Sequence, residues 1–186
     1  MSEPIIQSYS RRALIGSGLG LAGAALLPAP AFALGNGERR FIAINVNTRE
    51  RCDALFARGG RLVANGCAEL DHFFRDWRNG QSIAIDRNLL TLLCDVRDTL
   101  GAGSRPFELI SGYRSPATNA ARHAQSAGVA KGSMHIKGKA ADIRITGVPL
   151  TRLAAVGHAR QGGGVGFYPQ DGFVHLDTGR VRNWQG

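Results

Sequence analysis

The chain has 186 residues, 44% hydrophobic and 20% charged, and 23 Lys and Arg against 14 Asp and Glu give it a formal net charge of +9. That length supports a single domain with a real core, and the chain shows neither an internal repeat nor a low-complexity linker. The positive balance favours polyanionic neighbours such as envelope polymers or anionic lipid headgroups. No Lys/Arg run interleaves with aromatics, which argues against nucleic acid as a partner.

At the N-terminus, Ser10-Arg11-Arg12 leads into Ala13, Leu14 and Ile15 and a Gly/Ala-rich apolar run that Pro28 and Pro30 interrupt. Ala31-Phe32-Ala33 supplies a small-x-small cleavage pattern. A charged region, an apolar region and a cleavage site in that order read as an export signal over residues 1–33. The arginine pair before a weakly hydrophobic core is similar to a twin-arginine signal. The competing reading is an uncleaved anchor, but an apolar run of about 15 residues is shorter than the roughly 20 needed to span a bilayer. Residues 34–186 are then expected to be one domain working in the periplasm, with no stable membrane span and a monomeric state by default.

Residues 41–48 (FIAINVNT) alternate apolar and polar and predict a strand, with 50–57 (ERCDALFA) as its hairpin partner. Residues 67–80 predict a helix on Leu70, Phe73, Phe74 and Trp77, with Gly80 as its C-cap. Residues 86–101 predict a second helix between an Asp86 N-cap and a Gly101 stop. A strand over 107–114, a helix over 116–128, a strand over 140–146 and a helix over 149–160 follow. Two further strands cover 162–169 and 172–179, and Trp184 is expected to close the core. The predicted class is α+β, helices packed on a small, mainly antiparallel sheet.

Cys52, Cys67 and Cys94 form no C-x-x-C pair, which excludes a thiolate zinc knuckle. Cys94 lies in an apolar helical run; Cys52 and Cys67 are candidates for a disulfide in an oxidising compartment, a pairing that sequence leaves open.

Side chains alternate along a strand, so Asp142 and Arg144 point away from the apolar face of Ala141, Ile143 and Ile145. The same period puts Phe173, His175 and Asp177 on one face of the late strand. If the two strands pair, His175 joins Asp142, and His135 reaches them across a short turn. A His/Asp/His set with one open position is a catalytic zinc pattern. The bland reading is a set of structurally hydrogen-bonded histidines, and spacing alone does not choose. His72, His123 and His158 are expected to be structural or solvated.

The segments SGYRSPATN (111–119), KGSMHIKGKAADI (131–143) and GGVGFYPQDGFVHLDTGRVRNW (163–184) together resemble the M15-type zinc peptidases that cleave bacterial cell-wall peptides, in particular their murein endopeptidase (MepK-like) branch. The resemblance covers nearly the whole chain. It implies a zinc D-Ala-D-Ala peptidase/hedgehog-like fold, one Zn2+ held by His135, Asp142 and His175, and hydrolysis of peptide cross-links in peptidoglycan. It gives Arg114 a role toward a substrate carboxylate or a developing oxyanion, with a loop-pinning salt bridge as the alternative. Ser115 and Ser133 are candidates for substrate contacts or for loop structure, and Tyr113 and Tyr168 for lining the cleft.

One position departs from the pattern. Several M15 members carry a Glu base three residues before the last histidine, where this chain has Gly172. Asp177 is the first candidate for the base, or for orienting a zinc ligand from behind; Asp171 is the second. The missing Glu keeps a rival in view, a non-catalytic zinc fold that binds cell-wall peptides. A cysteine hydrolase is disfavoured because no thiol sits in an activating setting.

Overall fold

The computed structural model describes residues 34–125 and 130–186; the expected export signal lies outside them. An eight-stranded sheet runs in the order β3-β2-β1-β4-β5-β7-β6-β8. Its strands are β1 (Glu38–Asn45), β2 (Arg51–Arg58), β3 (Arg61–Leu62), β4 (Phe107–Ser111), β5 (Ala140–Ile145), β6 (Gly164–Tyr168), β7 (Phe173–Asp177) and β8 (Arg182–Gln185). The helices are α1 (Ala64–Phe73), α2 (Arg87–Thr99), α3 (Pro116–Gln125) and α4 (Leu150–Ala159), with a 3-10 turn over Met134–Lys137. The class is α+β as expected, and the expected antiparallel pairing holds for five of the seven strand pairs among the described residues, while two parallel pairs make the sheet mixed. β1 pairs parallel with β4, and β6 parallel with β8. The first parallel pair arises because α1 and α2 lie between its strands and carry the chain back to the starting edge, as a crossover must.

The sheet has two unlike faces. Ala141, Ile143 and Ile145 of β5, Val174 and Leu176 of β7, and Val165 of β6 join one buried apolar cluster with Leu89, Leu90 and Leu93 of α2 and Leu153 of α4. Phe41 packs against both Phe74 and Phe107, ring centroids 5.3 and 5.2 Å away. Fully burying such side chains stabilises by about 1.5–3 kcal/mol each. The alternate residues, Asp142, Arg144, Phe173, His175 and Asp177, therefore project to the opposite face.

Three elements depart from expectation near the site. α1 starts at Ala64 and ends at Phe73, so Gly80 is no helix cap. Instead the buried Asp76 closes a turn, its carbonyl accepting from the N–H groups of Asn79 and Gly80. Trp77 misses the core and is 38% exposed. β4 stops at Ser111 because the Phe74 carbonyl, freed at the end of α1, takes the Tyr113 N–H at 2.7 Å and turns the chain out of the sheet. Gly112 permits that approach, since a Cβ there would stand 2.6 Å from the Phe74 oxygen. β8 lies in a segment for which no strand was expected.

All three thiols are free and buried. Cys67 Sγ is 3.6 Å from the Phe56 carbonyl, and Cys52 Sγ is 3.5 Å from Glu69 Oε1.

Candidate active site

β5 and β7 are antiparallel neighbours, and their register sets Asp142 opposite His175. His135 arrives from the 3-10 turn. Ser133 caps that turn by accepting the His135 N–H, and Gly138 ends it in the left-handed conformation. The result places His135 Nε2 3.2 Å from Asp142 Oδ1 and 3.2 Å from His175 Nδ1, with 2.9 Å between His175 Nδ1 and Asp142 Oδ1. All three residues are buried.

The outer nitrogens fix what the inner ones present. His135 Nδ1 lies 2.7 Å from the Gly112 carbonyl, an acceptor only, so it carries the proton and leaves Nε2 with a lone pair. His175 Nε2 lies 2.9 Å from Asp177 Oδ2, so it too is the donor and Nδ1 faces inward. Three acceptors then converge on one point and repel unless a cation sits among them. Metal bonds of about 2.0–2.1 Å in a tetrahedral array set neighbouring donors about 3.3 Å apart. The observed spacing, together with an N2O donor set, suits a zinc-type divalent cation.

Without a metal, a proton takes that place. Burial lowers the His175 pKa, but the Asp142 and Asp177 carboxylates outweigh it and push it up to about 9. Burial dominates at His135 and lowers its pKa. Asp142 is held well below the usual carboxylate range, the two histidines outweighing its burial.

Asp177 is on the far side of His175 from the cluster. It is fully buried, and Arg182 grips it at 3.1 and 2.6 Å while the N–H groups of Gly164 and Gly179 donate to Oδ1. Asp177 is absent from the cleft lining, and these contacts match the second of its two expected roles, orienting His175 from behind, more closely than that of base. Arg182 went unrecognised in the sequence because β8 did. Trp184 is likewise not a core plug: it lies over His175 at 5.2 Å, and its Nε1–H donates to the Tyr168 hydroxyl at 2.8 Å. Gly166 opposite leaves room for the indole.

The cluster opens into a cleft of about 430 Å³ lined by Arg114, Arg122, Ser133, Tyr168, Asp171 and Arg182 among others. Arg114 is 5% exposed and sits 3.8 Å from Asp142, and its buried Nε has no hydrogen-bond partner. Asp171 is, beside Asp142, the carboxylate among the described residues that lines this space. Gly172 has φ +75 in the turn between β6 and β7, a conformation that L side chains rarely adopt. The turn itself therefore disfavours a Glu there.

Two expected substrate contacts lie elsewhere. Ser115 is fully buried, and its hydroxyl accepts from Thr118 N–H at the start of α3 and from Asn79 Nδ2. Tyr113 belongs to the apolar core. Neither lines the cleft. The thiols are poor nucleophiles: burial first, then Glu69, pushes Cys52 to about 12, and burial pushes Cys94 to about 11.

A family profile described as peptidoglycan L,D-endopeptidase MepK matches residues 35–184. The chain is similar to the peptidoglycan L,D-endopeptidase MepK of Escherichia coli K12, 42% identical over 177 residues that cover 94% of this chain and 97% of that protein. The Shigella flexneri protein of the same name matches to the same extent. A probable peptidoglycan L,D-endopeptidase MepK of Haemophilus influenzae is 44% identical over 142 residues, 76% of each chain.

Proposed function

The chain belongs to the M15 peptidase family described as peptidoglycan L,D-endopeptidase MepK, and from that premise we propose a zinc-dependent cut of one defined peptide cross-link in the cell wall. It is a peptidoglycan endopeptidase and a metallopeptidase. The observation that carries the zinc assignment is the convergence of three ligand atoms, His135 Nε2, Asp142 Oδ1 and His175 Nδ1, on one buried point. When bound, the metal supplies Lewis-acid polarisation of the scissile carbonyl and acidifies water.

The chain's own residues supply the remaining chemistry. Gly112 and Asp177 hold the two imidazoles in their ligating tautomers. Arg114, charged and desolvated beside the cluster, stabilises negative charge developing on the carbonyl oxygen. Asp171 takes the proton from attacking water at its carboxylate and returns it to the leaving amine. Ser133 shapes the rim through its cap on the 3-10 turn.

The relatives' name specifies an L,D bond. In wall cross-links an acyl group at an L centre joined to an amine at a D centre describes a diaminopimelate–diaminopimelate bridge, whereas a D-alanyl–diaminopimelate bridge is D,D. We assign the former as substrate. Residues 1–33 act as a twin-arginine export signal, supported by Ser10-Arg11-Arg12 and the Ala31-Phe32-Ala33 pattern, and deliver residues 34–186 as one periplasmic domain. No described helix is long and apolar enough to cross a membrane.

The test offers both dimer types to the mature protein, with zinc and with EDTA, and reads products by mass spectrometry. Zinc-dependent loss of the diaminopimelate–diaminopimelate dimer alone is the expected result; consumption of the D-alanyl dimer refutes the bond assignment.

A further inference from the structure

One end of the cleft is lined by two arginines, Arg114 and Arg122, of which Arg114 is engaged by Asp142, Asn119 and Ser111 and Arg122 is not. Arg114 comes from the loop after β4 and Arg122 from the last turn of α3, and both line the cleft; Arg78, from the turn after α1, stacks over Trp77 at 4.3 Å beside Asp76. The Arg78 guanidinium is held below its usual pKa by burial first and by repulsion from Arg122 second. Arg114 is lowered by burial, and Arg122 and Arg78 lower it further against the pull of Asp142 and Asp76.

The nearby acids do not neutralise Arg122. Asp142 belongs to the metal cluster. Asp76 is fully buried, spends its oxygens on the N–H groups of Ser115 and Arg78, and stands 3.9 Å from the Arg78 guanidinium. Arg122 is exposed, lines the cleft, and has no ion pair or hydrogen bond among the described residues. Gathering like charges costs stability, and such a cluster beside a catalytic centre marks a place for an anionic ligand group.

The substrate provides one. Each diaminopimelate has a D centre with its own carboxylate. On the amine side of an L,D bridge this carboxylate is attached next to the scissile nitrogen; on the acyl side it lies at the free end of the side chain. We propose that Arg122, backed by Arg78, is the residue that selects a diaminopimelate D-centre carboxylate, leaving Arg114 free for the reacting carbonyl. The guanidinium fork matches a carboxylate with two parallel hydrogen bonds. Asp171, also on the cleft lining, repels that carboxylate and so favours one orientation of the bridge. This inference rests on the endopeptidase reading.

Three diaminopimelate–diaminopimelate dimers test it: one unmodified, one amidated on the amine-side D-centre carboxylate, and one amidated on the acyl-side carboxylate. Wild type should lose about tenfold or more in kcat/KM, chiefly through KM, when the recognised carboxylate is amidated. Arg122→Gln should lose as much on the unmodified dimer and nothing further on that amide, and Arg122→Lys should recover part. The amide that abolishes the mutant's deficit names the carboxylate. An equal deficit of Arg122→Gln on all three dimers, or indifference of wild type to both amides, overturns the assignment. If wild type cleaves none of them, the endopeptidase reading fails. Equilibrium binding of the same peptides to EDTA-treated wild type and Arg122→Gln then decides the carboxylate site separately, equal affinities refuting it.

Discussion

His175 donates from Nε2 to one carboxylate and turns Nδ1 toward the other, so a different carboxylate governs each side of the ring. Asp177, locked by Arg182, orients the ring from behind; Asp142 shares the cluster in front. Asp177→Asn should therefore weaken zinc binding by about 10–100-fold in a chelator competition, because an amide can present its N–H group to His175 Nε2 and favour the other tautomer. Asp171→Asn should instead lower kcat by about 10²–10⁴-fold with zinc stoichiometry unchanged. Near-normal kcat there would remove Asp171 from proton transfer. The period-two reading placed His175 and Asp177 on one face. Which of them meets the cleft depends on ring orientation and on Arg182, and neither leaves a local trace in sequence.

At the level of elements, the site loop is pinned by the end of α1. Tyr113 N–H bonds to the Phe74 carbonyl, Ser115 N–H to the Asp76 carboxylate at 3.0 Å, and Ser115 Oγ to Asn79. Burial raises the Asp76 pKa, but hydrogen bonds from Thr118, Ser115 and Arg78 outweigh it and leave the group below its ordinary value. A depressed folded-state pKa contributes stability that is present above the unfolded value of about 4 and is lost as pH falls through the folded one. The stability gap between wild type and Asp76→Asn should thus be flat from neutral pH to about 5 and narrow below about 4 in thermal melts. A gap that widens in acid would contradict this account. The Asp86 cap and the Gly101 stop made α2 legible, and Asp86 does accept the Asn88 N–H. The end of α1 was not legible: the spacing of Phe73, Phe74 and Trp77 continues a helical stripe, whereas Asp76 ends it through partners some 40 positions away, at a separation of 39 for Ser115.

Across the whole molecule, an apolar face packs on helices and a polar face carries the site. That division was written in the alternation of β5 and β7 and could be read directly. Strand order could not, because the parallel pairings of β1 with β4 and β6 with β8 join segments distant in sequence or too short to show a period. The fold brings the three donor residues together and the unfolded chain does not, so zinc binds the folded state preferentially and metal removal should destabilise the domain. Free zinc at a hundred times its Kd should raise stability by about 2.7 kcal/mol over the EDTA-treated protein. Calorimetry that finds one melting temperature with and without zinc would argue against binding at this cluster.

The sheet is finished at its edge by β8, which brings Arg182 to Asp177 and Trp184 over His175. Both supports come from one short edge strand, so fraying of β8 alone would release the Asp177 carboxylate and uncover the His175 ring while the three donor residues stay on their own elements. A disturbance confined to that edge thus reaches the centre without touching a donor residue.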